Sequence, residues 1–433
     1  MTPEWIGLLG FLALLALLFL RVPVAVSMGV VGVVGMASLL GPGAGLNLLR
    51  TAPWTSVASY DYAVIPLFML MGNLCSHSGI SEDLFRMLHR WTGHFRGGLA
   101  LATVGACAGF AALSGTTLAT AVTMGAVALP EMKKLKYDPA LSTGVVAAGG
   151  TLGVLIPPST VMVIYGILTE QNIAKLFMAG VIPGLLQALF YAAAVGVICR
   201  IKPAMGPACA PFPLRERMRS LKGTWPVFAL FLLVMGGIYK GWFSPSEAAA
   251  VGATGAFALA MLRRRLTSSA LGLLCMDTVK STAMIMLVMV GAMLLGYFFS
   301  VTRVPFTLAS TVSSLQLSPT LIMGILVTMY VVLGCVMIPI AMIVLTMPIV
   351  FPLITFLGYD PIWFGVIVVR IFEIAQITPP VGLNIFVIKA SVPDVPLTTV
   401  FRGIFPFLIA DIAHLVLLFS FPALSLWLPG MME

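Results

Sequence analysis

Two proline pairs, Pro157-Pro158 and Pro379-Pro380, stand in the middle of long apolar runs. A proline has no N–H and cannot donate to the carbonyl four residues earlier. Pro157 and Pro158 therefore free the carbonyls of Gly153 and Val154, and Pro379 and Pro380 free those of Ala375 and Gln376. Hydroxyls flank the breaks: Ser114, Thr116, Thr151 and Ser159 in the first half, Thr378 in the second. Carbonyl and hydroxyl oxygens are hard donors that suit a small hard cation such as Na⁺. The expectation is one Na⁺ site per half, the first on Ser114, Gly153 and Ile156, the second on Gly334, Ala375 and Thr378. Helix N-termini should follow each break, at Ser159 and at residues 382–384. Their positive dipole ends favour an anionic group such as a carboxylate. An organic acid is thus the expected substrate. Thr116, Thr151, Pro157, Pro158, Ser159, Pro379, Pro380, Gly382 and Asn384 are the candidates that line its path.

Charges inside apolar runs are few. Arg370 and Glu373 sit three residues apart on the second broken helix, as a buried ion pair or as part of the substrate path. The pair is the preferred reading, since buried charges find each other. Asp411 and His414 repeat that spacing, too far from the repeated motifs to receive a role. No chain of acidic residues suggests a proton relay. There is no HExxH zinc motif, no phosphate-binding loop and no nucleophile elbow, so no catalytic residue and no bound cofactor is expected. Any transport would be gradient-driven, with Na⁺ as coupling ion.

These groups need helices in lipid to position them. The chain of 433 residues is 60% hydrophobic and 9% charged, with mean hydropathy +1.08. A soluble domain carries about 25% charged residues. The composition excludes a soluble enzyme, a disordered chain and a nucleic-acid-binding domain, and makes the bilayer the main solvent. The six cysteines are scattered singly, which argues against disulfides and zinc. The start, MTPEW, lacks a basic region and a cleavage site, so the first apolar run is read as a retained span. Basic residues count nineteen on one set of loops and four on the other. By the positive-inside rule both termini lie outside, with ten full crossings. Residues 98–130 and 318–357 do not fit as crossings. They read as re-entrant hairpins, with arms of about 15 residues in the first and breaks at 114–116 and 334–339.

Two stretches match without gaps, Pro130…Tyr137-Asp138-Pro139…Pro157-Pro158 and Pro352…Tyr359-Asp360-Pro361…Pro379-Pro380, each 222 residues apart. There are eight identities over 37 residues. The charge map gives the copies opposite direction, a pattern of secondary transporters. The expected fold is an all-α polytopic membrane protein with an inverted-topology repeat, two re-entrant hairpins and two proline-broken helices. It divides into scaffold helices at 1–80, an interfacial arm at 81–97 and the first transport elements at 98–199. A cytoplasmic linker at 200–224, scaffold helices at 225–300 and an arm at 301–317 follow. The second transport elements lie at 318–397 and a last helix at 398–433.

The run SGTTLATAVTMGAVALPEMKKLKYDPALSTGVVAAGGTLGVLIPPS at 114–159 resembles the large membrane subunit of tripartite ATP-independent periplasmic (TRAP) transporters. So do PLFMLMGNLCSHSGI at 66–80, SPSEAAA at 244–250 and ITPPVGLNIFV at 377–387. The resemblance implies a bacterial inner-membrane subunit that moves as a Na⁺-driven elevator. It implies two partners, a small four-helix membrane subunit on a separate chain and a soluble periplasmic substrate-binding protein. The family's sodium ligands map onto Ser114, Gly153, Ile156, Gly334, Ala375 and Thr378. Many members carry Asp where this chain has Thr120 and Ile338. The alternative is a stand-alone Na⁺- or H⁺-coupled carboxylate carrier of a related fold.

Overall fold

The structure is a computed structural model that describes residues 2–314, 317–379 and 382–432. Every regular element among the described residues is helical. The first half runs α1 (Pro3–Phe19), α2 (Val24–Leu40), α3 (Pro42–Val57), α4 (Val64–His77), α5 (Ile80–Thr92), α6 (Gly98–Ser114), α7 (Thr117–Lys134), α8 (Pro139–Leu155), α9 (Thr160–Leu168) and α10 (Ile173–Ile201). The second runs α11 (Leu214–Tyr239), α12 (Pro245–Leu262), α13 (Ser268–Thr302), α14 (Val304–Ser314), α15 (Pro319–Val336), α16 (Pro339–Phe356), α17 (Pro361–Ile377), α18 (Leu383–Ser391), α19 (Leu397–Ser420) and α20 (Ala423–Gly430).

The 222-residue offset reaches far beyond the 37 residues in which it is visible as identity. Adding it to α7 and α8 gives the bounds of α16 and α17, and adding it to α2, α6 and α9 lands within one residue of α12, α15 and α18. The starts of the broken helices share their chemistry. Asp138 Oδ1 accepts the N–H groups of Ala140 (2.8 Å) and Leu141 (3.4 Å). Asp360 Oδ1 accepts those of Ile362 (2.8 Å) and Trp363 (2.9 Å). In both, proline follows at the first helical position, where a missing N–H costs nothing.

The breaks are shorter than expected. The hairpin arms have 17 or 18 residues, longer than the roughly 15 anticipated, and two residues separate the arms of each hairpin. Seven helices among the described residues are long and apolar enough to cross a bilayer, counting Pro139–Leu168 as one. The ten crossings expected include α1 and α2, whose 17 residues give about 25 Å of helix. The seven include α16, which had been read as a hairpin arm.

Two other expectations change. The segment 200–224 is no free linker. Met205 and Gly206 accept the N–H groups of Asp138 (3.0 Å) and Gly97 (2.8 Å), and Cys209 donates to Gly93 (2.8 Å). Its second half is helix, because after Pro213 no proline recurs until Pro226. The other change is α3, a largely exposed helix ahead of the span expected to begin at 57.

Helices α8 and α17 lie at the centre. Residues 140–155 of α8 and 363–377 of α17 are all buried. Glycines allow the approach: a Cβ on Gly144 would collide with the Gly403 carbonyl of α19, and one on Gly403 with the Ala140 carbonyl. Small residues let helix backbones meet in this way. The arm α5 is held from the side, where Arg263 at the end of α12 donates to Asp83 Oδ2 (2.6 Å) and the Gly223 carbonyl (2.6 Å).

Candidate ion and substrate site

The tip of the first hairpin seats on the first break. Gly115 holds φ +62°, and its carbonyl accepts the N–H of Thr160 at 3.4 Å. A Cβ there would lie 2.6 Å from the Pro158 carbonyl oxygen, so the tip needs glycine for both its conformation and the close approach. Ser159 Oγ caps α9 by accepting the N–H of Met162 (3.3 Å). The Pro157–Pro158 peptide bond is cis.

A hydroxyl cluster forms beside the tip. Ser114 Oγ and Thr120 Oγ1 are 2.8 Å apart, and Thr120 Oγ1 donates to the Thr116 carbonyl at 2.9 Å. Gly153 faces the same group, since a Cβ on it would sit 2.7 Å from Thr120 Oγ1 and against the Thr116 carbonyl. Ser114, Thr116 and Gly153 are thus brought together. Thr120, where an acidic residue was noted as missing, supplies a buried hydroxyl to the cluster. Ile156 packs its side chain on Gly184 of α10, and its N–H donates to Leu152 (3.2 Å). Thr151 turns away, binding the Ala148 carbonyl (2.7 Å), Tyr191 (3.1 Å) and Gln187 (3.3 Å).

The second set also meets. A Cβ on Gly334 would lie 2.5 Å from the Ala375 Cβ, which places the end of α15 directly on α17. Cys335 Sγ is 3.9 Å from the Thr378 carbonyl, and Thr378 Oγ1 donates to the Ile374 carbonyl (2.6 Å). The Ala375 carbonyl is not orphaned by Pro379. It accepts the N–H of Thr378 at 3.3 Å because α17 closes in a tighter last turn. A carbonyl oxygen keeps a second lone pair for a cation. Pro379 is exposed, Gly382 (φ +54°) caps α18, and Pro380 lies outside the described residues.

Between the two hairpins is a cavity of about 330 Å³. Its wall takes Ser114 and Thr116 from the first tip, Ile338 from the second, and Gly72, Asn73 and Ser281 from α4 and α13. Four helices point their first residue into it: Thr117 of α7, Thr160 of α9, Pro339 of α16 and Leu383 of α18. The N-caps of α7 and α16 make no side-chain cap bond. The lining residues include no Asp, Glu, Lys or Arg. Four helix dipole ends around an uncharged space make a setting for an anion.

Arg370 and Glu373 are elsewhere. Arg370 Nη1 donates to Glu373 Oε2 at 2.7 Å, and Nη2 donates to Asp411 of α19. All three side chains are fully buried and none lines the cavity. Glu373 Oε1 accepts the N–H of Leu155, at the end of α8 (3.1 Å). Asn384 is also off the cavity, donating to the Ala147 carbonyl at 3.3 Å. Asp411 thus gains the role that sequence distance had withheld. Its spacing with His414 was no signal for this role, since neither His414 nitrogen makes a hydrogen bond among the described residues.

This architecture defines a polytopic helical membrane protein with a largely apolar, uncharged chamber on which helix N-termini converge. Residues 11–424 match the family described as "Tripartite ATP-independent periplasmic transporter, DctM component". The chain belongs to that family, as a large membrane subunit of a TRAP transporter. It is 39% identical over 373 residues to the C4-dicarboxylate TRAP transporter large permease protein DctM of Pseudomonas aeruginosa, covering 86% of each chain. It is 30% identical over 416 residues to the sialic acid TRAP transporter large permease protein SiaM of Vibrio cholerae, covering 96% of each. The isethionate TRAP transporter permease protein DctMQ of Oleidesulfovibrio alaskensis is 31% identical over 432 residues, which are 98% of this chain and 66% of that longer protein. The fold is similar to the crystal structure of the Alcanivorax borkumensis YdaH transporter, with TM-score 0.64, 16% identity and 90% of each chain covered.

Proposed function

We propose that this chain is the translocating subunit of a Na⁺-driven importer of organic acids, of the C4-dicarboxylate class. The observation that carries the reading is the convergence of four helix N-termini on one uncharged cavity that Ser114 helps to line. The N-termini suit the carboxylates. The first Na⁺ is held by Ser114, Gly153 and Ile156, the second by Gly334, Ala375 and Thr378. Relatives named for C4-dicarboxylates, sialic acid and isethionate all handle organic anions, and the 39% relative supports the dicarboxylates.

The two halves are inverted copies, with both termini on the periplasmic side of a bacterial inner membrane. The hairpins and broken helices move as one body against scaffold helices α1–α4 and α11–α13, carrying the hairpin tips and helix N-termini of the cavity past the wall that α4 and α13 supply, as an elevator. A small four-helix membrane subunit and a periplasmic binding protein complete the system.

The test is uptake into proteoliposomes containing this chain and its small subunit. Binding proteins preloaded with organic acids are added outside, under an imposed Na⁺ gradient. Uptake that needs both the gradient and a binding protein supports the reading. Uptake without a binding protein, or driven by protons alone, replaces it with a stand-alone carrier.

A further inference from the structure

One side chain touches the end of one broken helix while standing on the other. Glu373 lies two residues before Ala375, the carbonyl donor of the second group. Its Oε1 accepts the N–H of Leu155, which lies between Gly153 and Ile156 of the first group, at 3.1 Å. Its other oxygen is fixed by Arg370 Nη1 at 2.7 Å, and Arg370 is fixed by Asp411 on α19. That helix crosses α8 backbone to backbone at Gly144 and Gly403. All three charged side chains have zero exposure, so solvent cannot substitute for any of these bonds. A carboxylate held on one side by a guanidinium is a rigid, charge-assisted acceptor.

We propose that Glu373 is a positioning residue that couples the two cation groups. Its bond to Leu155 sets the backbone of the first break according to the position of the second. The inference rests on the Na⁺ reading above. A cation at Ala375 and Thr378 orders the end of α17, and Glu373 carries that order to residues 153–156. Binding at either group then favours binding at the other by the same factor. Uptake should rise cooperatively with Na⁺ concentration, and the cooperativity should depend on an acceptor at the Glu373 Oε1 position.

The experiment measures uptake against Na⁺ concentration in proteoliposomes for the native chain, Glu373→Gln, Glu373→Asp and Glu373→Ala. Monodispersity and thermal midpoint are followed in parallel. Glu373 accepts from two donors. Gln has one acceptor oxygen, which Arg370 takes, so its amide NH₂ faces the Leu155 N–H and its curve should lose cooperativity. The Asp side chain keeps the charge for Arg370 but is one methylene short of Leu155, so its curve should lose cooperativity. The half-saturating Na⁺ should also rise, by at least about 5-fold, the lower end of typical coupling. The Ala variant should behave like Asp. Should Ala fail to fold, Gln and Asp decide. A cooperative native curve that Asp leaves cooperative overturns the coupling while leaving Na⁺ dependence intact. A native chain indifferent to Na⁺ overturns the functional reading itself, which is a separate result.

Discussion

Arg370 on α17 and Asp411 on α19 form an ion pair with no solvent exposure on either side chain. With Glu373 this places two carboxylates around one guanidinium in the protein interior. Removing the shared partner of a buried pair costs far more than the pair contributes, because it strands charge away from water. Arg370→Ala should therefore destabilise the purified protein by about 3–5 kcal/mol. Arg370→Lys should recover only part of this, since an ammonium lacks the planar fork that reaches both acceptors. Asp411→Asn keeps an acceptor for Arg370 and should cost less than Arg370→Ala. Thermal midpoints in detergent would check the order, and an unaltered Arg370→Ala midpoint would contradict it.

The contact between α8 and α19 makes a second prediction. A Cβ on Gly403 would overlap the Ala140 carbonyl, and backbone cannot move aside as a flexible side chain can. Gly403→Ala and Gly144→Ala should each cost at least about 1–3 kcal/mol through overpacking. Gly196 on α10 is the control, because nothing lies within 4 Å of a Cβ built there. Gly196→Ala should be neutral, or stabilising by up to about 1 kcal/mol from better helix propensity. Equal yields and midpoints for Gly403→Ala and Gly196→Ala would argue against the close crossing.

What could be seen in the sequence follows from which residues act on their own backbone. The breaks at residues 156–159 and the turn at Gly115 were legible, because proline and glycine set local geometry within a few positions, whereas Asp138 and Asp360 were read only as members of the repeat and not as caps. The Arg370–Glu373 pair was legible because three-residue spacing puts both on one helix face. Asp411 was not, because its partner is 41 residues away and the meeting depends on how α19 crosses the core. Thr151 was misplaced for a related reason. Its position next to the break is a fact of sequence, but helical rotation turns it toward Gln187 and Tyr191 on α10. The α3 helix was missed because its residues mix prolines and glycines with few apolar runs.

The paired caps give a symmetrical prediction. Asp138 and Asp360 each accept two N–H groups at the start of a buried helix, in the same register 222 residues apart. Asp138→Ala and Asp360→Ala should each lower stability by about 1 kcal/mol, and Asn in either place should restore most of it. Thermal midpoints for the four variants would test this. A large loss at one site with none at the other would show that the two starts are not equivalent.

The remaining prediction separates a lost ion ligand from a damaged fold. Ser114 Oγ is shared with Thr120, and Thr378 Oγ1 donates to Ile374, so each hydroxyl oxygen retains lone-pair capacity for a cation. Ser114→Ala and Thr378→Ala remove one oxygen each without adding volume. If these oxygens bind Na⁺, each substitution should raise the half-saturating Na⁺ concentration by about tenfold, equivalent to about 1.4 kcal/mol. Transport at saturating Na⁺ should be largely retained, since a weakened site still fills at high concentration. Thr355→Ala is the comparison, because that hydroxyl is exposed and bonds only within its own helix. It should leave the Na⁺ curve unmoved. A maximal rate that collapses at unchanged half-saturation would point to structural damage. Unchanged Na⁺ curves for both Ser114→Ala and Thr378→Ala would remove these residues from the site.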